Sequence, residues 1–431
     1  MFRALLACTI MAGLGACSTE AKFPVTAGFG ADPVLPEPDP QTIPTMEIAE
    51  AIGWPEGLKP TAAQGLSVQA FATGLDHPRW LYVLPNGDVL VAETNAPAKD
   101  EGFSIQNLVM KRAMEKAGAA VPSADRITLL RDTDGDGVAD LQTPFLENLY
   151  SPFGMELIGD TFYVANADGI VTFPYEEGAT FITADGTPLT DLPAGRNHHW
   201  TKNIIASEDG SKLYAAVGSN SNIADHGMEE EQGRAAIWEV DVASGEKRLF
   251  ATGLRNPVGM AWNPASGELW AAVNERDMLG NNLVPDYMTS VQDGAFYGWP
   301  WSYYGQNGDK RVKPANPAMV EKAIAPDYAL GSHTASLGLS FADGAALGPD
   351  FTSGAFVGQH GSWNRKPPAG YKVIFVPFDG DQPAGNPIDV LTGFLGDDVA
   401  FGRPVDVKIA SDGALLVADD VGNTIWRVST E

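Results

Sequence analysis

The sequence predicts an all-β fold: a six-bladed β-propeller with one short helical insertion. A hairpin pattern recurs six times along the chain. Asp-Gly, Asn-Gly and similar turn residues separate its strands, which favours antiparallel pairing. No regular helices lie between the copies, as parallel βαβ units would require. Hairpins repeated at intervals of roughly 45 to 75 residues are typical of blades arranged around a central axis.

Each copy of the hairpin has a lead-in with Pro or Gly, an apolar strand, a turn and a second apolar strand. The six copies span residues 77–94, 151–175, 199–220, 256–277, 333–363 and 403–428. One segment between the first two copies, 103–119, instead spaces Ile, Leu, Val and Met among Lys and Glu. That spacing predicts an inserted helix packed on one rim of the propeller.

The charge balance excludes two classes of partner. The 431 residues include 28 Lys+Arg and 55 Asp+Glu, giving a formal net charge of −27. A protein that wraps nucleic acid needs clustered cations, and so does one that binds anionic lipid through a basic face. With 44% hydrophobic residues the chain can bury a large core, and two cysteines are too few for a disulfide scaffold.

The N-terminus reads as an export signal. Arg3 precedes a short apolar run, and Gly15-Ala16-Cys17-Ser18 follows it. The segment ending at Cys17 resembles a bacterial lipobox, which implies removal of residues 1–16 and lipidation of Cys17. Ser18 after the cysteine then implies the outer membrane, facing the periplasm. The alternative is an ordinary signal peptide in which Cys17 is incidental.

Residues 17–65 are rich in Pro and acidic residues, which predicts an extended tether or a strap over the domain surface. The propeller domain is predicted to span residues 66–431. No later segment contains the roughly 18 consecutive apolar residues that a membrane helix needs.

Candidate site residues lie at the starts of the repeats, whose loops converge on the axis of a propeller. They are Arg79, His199, Arg255 with Asn256, His333 and Arg403. Three arginines directed at one pocket would bind an anion with several carboxylates, because guanidinium groups contact carboxylates bidentately. Alternatively, each arginine pairs with a local Asp or Glu.

Several motifs carry a family resemblance. They are GLRNPVGMAW (253–262), HWTKNIIASEDGSKLYAAVGS (199–219), HGSWNR (360–365), GRPVDV (402–407), and Asp286 shortly before YGWP (297–300). From about residue 66 to 428 the chain resembles the soluble glucose dehydrogenase and sorbosone dehydrogenase family, and it is most similar to the sorbosone branch. The resemblance implies a dehydrogenase that uses pyrroloquinoline quinone (PQQ) and calcium to oxidise a sugar or a related alcohol or aldehyde.

The same resemblance implies roles for single residues. His199 matches the base that takes the hydroxyl proton, with the adjacent His198 leaving the register open and His360 as a competing base. The implied cofactor contacts are Arg79, Arg255, Asn256, Asp286 and Arg403. Val405 stands where the glucose branch has a second arginine, which weakens the anion clamp and argues against glucose specificity.

Two metal sites are predicted. The resemblance implies that the cofactor's calcium is held partly by backbone carbonyls of the loop 273–277, and we assign it to Glu275 and Asp277. Separately, Asp132, Asp134 and Asp136 alternate in the pattern that opens a calcium loop. The bidentate Glu expected at the twelfth position of such a loop is replaced by Thr143, so a solvated acidic turn is the alternative.

Two other functions compete with the dehydrogenase. A calcium-dependent lactonase-type hydrolase would place carboxylates and asparagines around the axis, and a non-catalytic envelope propeller would bind protein or glycan. For the dehydrogenase, no Cys-x-x-Cys-His haem motif occurs, so electrons would pass to a separate quinone or cytochrome. The expected partners are a sugar-like small molecule and this acceptor, with membrane contact only through the lipid.

Overall fold

Six antiparallel sheets surround one axis, which confirms the predicted six-bladed β-propeller. The structure is a computed structural model, and it describes residues 20–41, 45–98 and 105–431. The predicted signal peptide and the lipidation site Cys17 lie outside the described residues.

The blades are numbered along the chain, and the strands of each blade are given from the axis outward. Blade 1 contains Pro78–Val83, Val89–Glu93, Arg126–Arg131 and Leu141–Leu146, and blade 2 contains Met155–Ile158, Thr161–Asn166, Gly169–Pro174 and Thr187–Asp191. Blade 3 contains Ile204–Ala206, Lys212–Val217, Ala236–Asp241 and Lys247–Thr252, and blade 4 contains Asn256–Trp262, Leu269–Asn274, Pro285–Ser290 and Tyr328–Ser332. Blade 5 contains Ser336–Phe341, Gly354–Gln359, Lys372–Asp379 and Ile388–Thr392, and blade 6 contains Pro404–Ile409, Leu415–Asp419, Thr424–Thr430 and Leu66–Thr73.

The ring is closed by pairing the two ends of the domain. Leu66–Thr73 forms the outermost strand of blade 6 and pairs antiparallel with the C-terminal strand Thr424–Thr430. This pairing joins blade 6 to the start of the chain and leaves no open seam between the last blade and the first.

The core lies between the blades. Trp270 of blade 4 packs edge-on against Phe341 and Phe378 of blade 5, with ring centroids 6.2 and 5.2 Å apart. All three side chains are buried. Burying one such side chain stabilises the fold by about 1.5 to 3 kcal/mol. The interfaces between blades therefore fix how the inner strands are arranged around the axis.

Two helices and three 3₁₀ turns occur among the described residues. The predicted insertion is helical over Ile105–Lys116 and connects the second and third strands of blade 1. The second helix, Pro317–Lys322, lies in an insertion of blade 4. The 3₁₀ turns are Val25–Gly28, Met228–Glu231 and Pro349–Phe351. No helix in these ranges is long and apolar enough to cross a membrane.

The Pro-rich segment before the propeller, residues 20–65 as far as it is described, runs along the surface of the propeller and is held there by short two-residue strands. We call this segment the strap. Phe29–Gly30 pairs with the outer strand of blade 4, and Thr61–Ala62 pairs with the outer strand of blade 5. Glu50–Ala51 pairs in parallel with Val399–Ala400. The other short strands are Ser302–Tyr303, Asn307–Gly308 and Gln382–Pro383.

In every blade the inner strand begins, and the second strand ends, at the same end of the axis. We call this the site end. It carries the loops that enter each inner strand and those that connect each second strand to the third, and most of the side chains predicted to be functional lie on these loops.

Candidate functional site

Polar side chains gather at the site end in two groups. The first group, the His199 cluster, comes mainly from blades 3 and 4 and contains His198, His199, Ser219, Asn222, Arg255, Asn256, Asp277 and His333. The second group, the Asp420 cluster, comes from blades 5, 6 and 1 and contains His77, Arg79, His360, Arg403 and Asp420.

His199 precedes the inner strand of blade 3 and has a defined tautomer. Its Nδ1 lies 2.8 Å from the carbonyl oxygen of Ser219 and 3.0 Å from the Ser219 hydroxyl. Because a carbonyl only accepts, Nδ1 carries the proton and Nε2 carries the lone pair. Burial, with the nearby charges of Arg255 and His198, lowers the pKa of His199 well below its ordinary value. The imidazole is therefore neutral and can accept a proton.

The residues on either side of Ser219 are closely constrained. Glu231 accepts hydrogen bonds from the backbone N–H of Asn220 at 2.6 Å and from the Ser221 hydroxyl. Gly218 leaves space, because a Cβ there would lie 2.2 Å from Oδ1 of Asn256 and 2.6 Å from Cβ of His199. His199 and Asn256 therefore come together at a position that only glycine allows.

Arg255 is buried, and its donors are engaged within the protein. It donates to the carbonyl oxygen of Glu275 at 2.7 Å and to Oδ1 of Asn222 at 3.0 Å, and it lies 3.4 Å from Oδ2 of Asp277. The neighbouring Asn256 is also buried, and its Oδ1 makes no hydrogen bond with the described residues. Arg255 thus braces two loops rather than presenting a free guanidinium.

The acidic residues predicted around the cofactor and metal are paired internally. Oε2 of Glu275 accepts from the guanidinium of Arg276 at 2.9 Å, whereas its Oε1 has no partner among the described residues, and both side chains are fully buried. Asp277 lies between Arg255 and His333, with 3.3 Å separating its Oδ1 from Nδ1 of His333. In the described part of the chain, no cluster of three His, Cys, Asp or Glu ligands includes Glu275 or Asp277.

Asp286 supports the loops around it. Its carboxylate accepts from the backbone N–H groups of Glu275 and Ser336 at 2.9 and 3.0 Å, and from the Thr334 hydroxyl at 3.1 Å. Burial raises its pKa to about 6 despite these bonds. The structure thus gives Asp286 the role of connecting blades 4 and 5.

The Asp420 cluster surrounds one buried carboxylate. Nε2 of His360 lies 3.0 and 2.9 Å from the two oxygens of Asp420, and Arg79 donates to Oδ2 at 2.6 Å. Nε2 of His77 lies 3.5 Å from the same oxygen. Burial lowers the pKa of His360 to about 4 against the opposing charge of Asp420.

Arg403 stands out because it is buried without a counter-ion. It is 5% exposed, and no Asp or Glu in the described ranges forms an ion pair with it. Its guanidinium donates to the Tyr371 hydroxyl at 3.0 Å, and its Nε has no partner among the described residues. Gly361 makes room for the Tyr371 ring, since a Cβ there would lie 2.3 Å from a ring carbon.

The acidic loop of blade 1 lies away from both clusters. Asp132, Asp134 and Asp136 offer oxygens that all lie within 4.8 Å of one another, as a metal site requires. Two of the three side chains are exposed, and all accept from backbone N–H groups of their own loop. The loop joins the third and fourth strands of blade 1, so it lies opposite the site end.

Some members of these clusters were not predicted from the sequence. Asp420 and His77 were missed in one cluster, together with Tyr371, which contacts its Arg403, and Asn222 was missed in the other. The available signal for Asp420 was its place directly after the buried strand Leu415–Asp419, at the site end. Among 55 acidic residues, such a position does not distinguish it.

The fold and site together define a class. It is a six-bladed propeller whose central loops hold neutral histidines and buried arginines, so it can bind an anion and accept a proton. The family model described as TrAA12-like matches residues 60–292 and 309–431, and the chain belongs to this family.

Curated relatives share part of this sequence. The pyrroloquinoline quinone-dependent pyranose dehydrogenase of Coprinopsis cinerea is 26% identical over 359 residues, which are 73% of this chain and 44% of that enzyme. An uncharacterized protein of Borreliella burgdorferi is 33% identical over 237 residues, covering 54% of this chain and 61% of that protein. The chain thus spans less than two thirds of the length of these relatives.

Solved structures share the fold. The PQQ domain of the Coprinopsis cinerea pyranose dehydrogenase, in its holo form, superposes with a TM-score of 0.69 at 20% identity, covering 89% of this chain and all of that one. The calcium structure of a Trichoderma reesei family AA12 enzyme gives 0.70 at 18% identity, covering 90% and 100%. The PQQ-bound aldose sugar dehydrogenase of Streptomyces coelicolor gives 0.56 at 17% identity, covering 86% and 100%.

Proposed function

We propose that this protein is a PQQ-dependent dehydrogenase that oxidises a sugar or a related alcohol or aldehyde. The substrates we favour are a pyranose, another aldose or sorbosone. The proposal is supported by membership of the TrAA12-like family and by relatives named as PQQ-dependent sugar dehydrogenases. The structural observation that carries it is the buried, unpaired guanidinium of Arg403.

The residues at the site end fit an anionic quinone. Burying a cation without a paired carboxylate costs desolvation free energy, so we expect Arg403 to bind an anion that the chain does not supply. Arg79 lies in the same cluster, and its Nε also has no partner among the described residues. Asn256 Oδ1 is a buried acceptor that a ligand donor can satisfy. PQQ carries three carboxylates, so we assign Arg79 and Arg403 to its carboxylates and Asn256 to a polar contact.

The chain's own residues bind the cofactor and substrate and take the proton. PQQ, when bound, supplies the acceptor for a hydride from the substrate carbon. The arginines hold and orient the bound molecules, and a neutral histidine accepts the proton of the substrate hydroxyl. His199 through Nε2 and His360 through Nδ1 are the two candidates, because each uses its other ring nitrogen within the protein.

Calcium does not fit the side chains to which it was assigned. Glu275 is neutralised by Arg276, and Asp277 by Arg255 and His333. The carbonyl oxygen of Glu275 accepts from Arg255. A divalent cation placed there would face two guanidinium groups at close range. We therefore derive no step of the reaction through a metal at Glu275 and Asp277.

The lactonase-type hydrolase has less support. It would hold a metal among carboxylates and asparagines around the axis. At the site end, Oδ1 of Asn222 accepts from Arg255, and Asp277 is paired with Arg255 and His333. A metal would then need another cluster of at least three carboxylate or histidine ligands. In the part of the chain that the structure describes, the one such cluster is Asp132, Asp134 and Asp136, at the end of the propeller opposite the two histidines. The non-catalytic propeller, in turn, gives no role to a buried guanidinium without a counter-ion.

We further propose that Cys17 is lipidated and that the protein resides at the outer membrane, facing the periplasm. Export to the envelope agrees with the lipobox-like sequence before Cys17. Electrons from the reduced cofactor would pass to a separate quinone or cytochrome, since the sequence contains no haem attachment motif.

The test is reconstitution of the purified full-length protein with PQQ. We expect a saturable change in the absorbance of PQQ, followed by dye reduction when an aldose, a pyranose or sorbosone is added. Arg427→Gln is a matched control, because Arg427 pairs with Asp412 on the surface of blade 6, away from both clusters. The absence of both the spectral change and dye reduction with every sugar would refute the proposal.

A further inference from the structure

Asp420 is a buried carboxylate at the site end for which the proposed reaction has so far given no role. It follows the second strand of blade 6, and its side chain is 1% exposed. Arg79 and His77 reach it from blade 1, and His360 reaches it from blade 5. Two of these three partners are site residues predicted from the sequence without reference to Asp420.

The charges in this group leave Asp420 ionised. Burial opposes its charge, but the contacts with His360, His77 and Arg79 outweigh burial and hold the pKa of Asp420 below the ordinary range. At neutral pH, Arg79 supplies the positive charge among these contacts, and His360 supplies a hydrogen bond. After burial, the charged groups with the largest effect on the pKa of His360 are Asp420, which raises it, and Arg403 and Arg79, which lower it. Asp420 is the carboxylate in contact with His360, and both other groups are cations.

This arrangement fixes the tautomer of His360. An ionised carboxylate only accepts hydrogen bonds, so Nε2 of His360 carries the proton and donates a hydrogen bond to Asp420. Nδ1 is then the basic nitrogen. The backbone N–H of His360 donates to the carbonyl oxygen of Ala335 at 2.9 Å, which holds the residue in place.

His199 differs in what would stabilise its protonated form. Its Nδ1 contacts the carbonyl and hydroxyl oxygens of Ser219, which are neutral, and after burial the charges of Arg255 and His198 lower its pKa further. A carboxylate bonded to an imidazole orients the ring and stabilises the imidazolium that forms during proton transfer. His360 has such a carboxylate, whereas His199 contacts only neutral oxygens through Nδ1.

We propose that Asp420 is a positioning residue that makes His360 the proton acceptor of the reaction and holds Arg79 beside it. This inference rests on the proposed function. In the step it describes, the substrate hydroxyl gives its proton to Nδ1 of His360. The adjacent C–H bond breaks, its hydride reduces the quinone cofactor, and the carbon–oxygen double bond of the product forms.

The test compares His360→Ala, His199→Ala and Asp420→Asn in the PQQ-loaded full-length protein. Cofactor affinity is measured by absorbance titration, and the rate of cofactor reduction by rapid mixing with a saturating sugar. We expect His360→Ala to bind PQQ with an affinity within about threefold of wild type. Its rate of PQQ reduction should be at most about one hundredth of the wild-type rate. Added imidazole should restore part of that rate in His360→Ala and not in His199→Ala.

Asp420→Asn provides a second measurement, the pH dependence of kcat/KM, which would not change if Asp420 had a purely structural role. Asp420 raises the pKa of His360, so its removal should shift the acidic limb of kcat/KM to lower pH as well as slow cofactor reduction. Folding of Asp420→Asn is checked by circular dichroism. If it does not fold, the rate and imidazole response of His360→Ala test the proposal, because the ion pair of Asp420 and Arg79 remains intact in that variant.

The outcomes separate the two proposals. If wild type neither binds PQQ nor oxidises a sugar, the proposed function fails. If wild type is active and His360→Ala retains its rate while His199→Ala loses it and responds to imidazole, the proposed function stands and the role of Asp420 and His360 is overturned.

Discussion

The guanidinium of Arg255 donates to the backbone carbonyl oxygen of Glu275 at 2.7 Å. The same guanidinium lies 3.4 Å from the carboxylate of Asp277. A fixed cation therefore lies at the loop to which the family resemblance assigns calcium. We infer that Arg255 supplies the positive charge that the loop needs.

Removal of divalent cations is accordingly expected to have little effect on cofactor binding. PQQ titrated into the protein in excess EDTA should bind within about threefold of its affinity in calcium, a difference of less than about 0.7 kcal/mol. In Arg255→Gln the loop oxygens lose their cation, and PQQ binding should become dependent on added calcium. A tenfold or larger loss of affinity in EDTA, restored by calcium in the wild type, would contradict this expectation.

Arg403→Gln should weaken PQQ binding and stabilise the apoprotein. A charge-assisted hydrogen bond contributes about 1.5 to 3 kcal/mol, so PQQ affinity should fall roughly 10- to 100-fold. The apoprotein should melt at a higher temperature, because the variant no longer buries an unpaired cation. Tyr371→Phe removes one contact of the same guanidinium and should have a smaller effect on affinity. A lower melting temperature with unchanged affinity would indicate a purely structural Arg403.

Gly361→Ala should destabilise the protein by about 2 to 4 kcal/mol. Gly361 has φ of 101°, and an added Cβ would lie 2.3 Å from the ring of Tyr371, which contacts Arg403. Gly308→Ala is the control, because it has no atom within 4 Å of the added Cβ. Denaturant unfolding of both variants measures the difference, and equal stabilities would show that the Tyr371 ring moves away at little cost.

Asp406→Asn should flatten the pH dependence of stability. Asp406 lies in the inner strand of blade 6, and burial raises its pKa to about 6. Between about pH 4 and 6 the folded protein therefore holds a proton that the unfolded chain has released, so this contribution to stability falls as pH rises through that window. It amounts to roughly 2 to 3 kcal/mol.

The difference between variant and wild type isolates this group, because Asp286 and Asp419 titrate alike in both proteins. Melting temperatures of wild type and Asp406→Asn from pH 4 to 7 give the comparison, with the exposed Asp343→Asn as a control. Parallel curves for wild type and Asp406→Asn would show that Asp406 is ionised throughout the range.

The sequence predicts the two strands nearest the axis of each blade better than the outer ones. Strands such as Val89–Glu93 are buried on both faces and therefore carry a continuous apolar pattern. Thr187–Asp191, at the outer edge of blade 2, is half exposed and lacks that pattern. The closing strand Leu66–Thr73 could not be assigned to blade 6, because its partner is at the other end of the chain.

The position of a residue within its repeat was enough to predict several site residues, but it did not predict their hydrogen-bond partners. Arg79 and Arg403 were predicted to lie at repeat starts, and the structure places both at the site end. Arg255 was expected to be available to a ligand. Its main acceptor is a backbone carbonyl, which any residue type provides, so no sequence pattern could have indicated that pairing.

The beginning of the strap has a consequence for the orientation of the whole protein. The backbone N–H groups of Ala21 and Lys22 donate to the carbonyl oxygen of Lys366 and to Oδ1 of Asn282, in two loops of the site end. Lys22 lies five positions after Cys17, a reach of at most about 18 Å. If Cys17 carries a lipid as proposed, the site end is held toward the bilayer, and electrons leave the protein on the side where membrane-bound carriers diffuse.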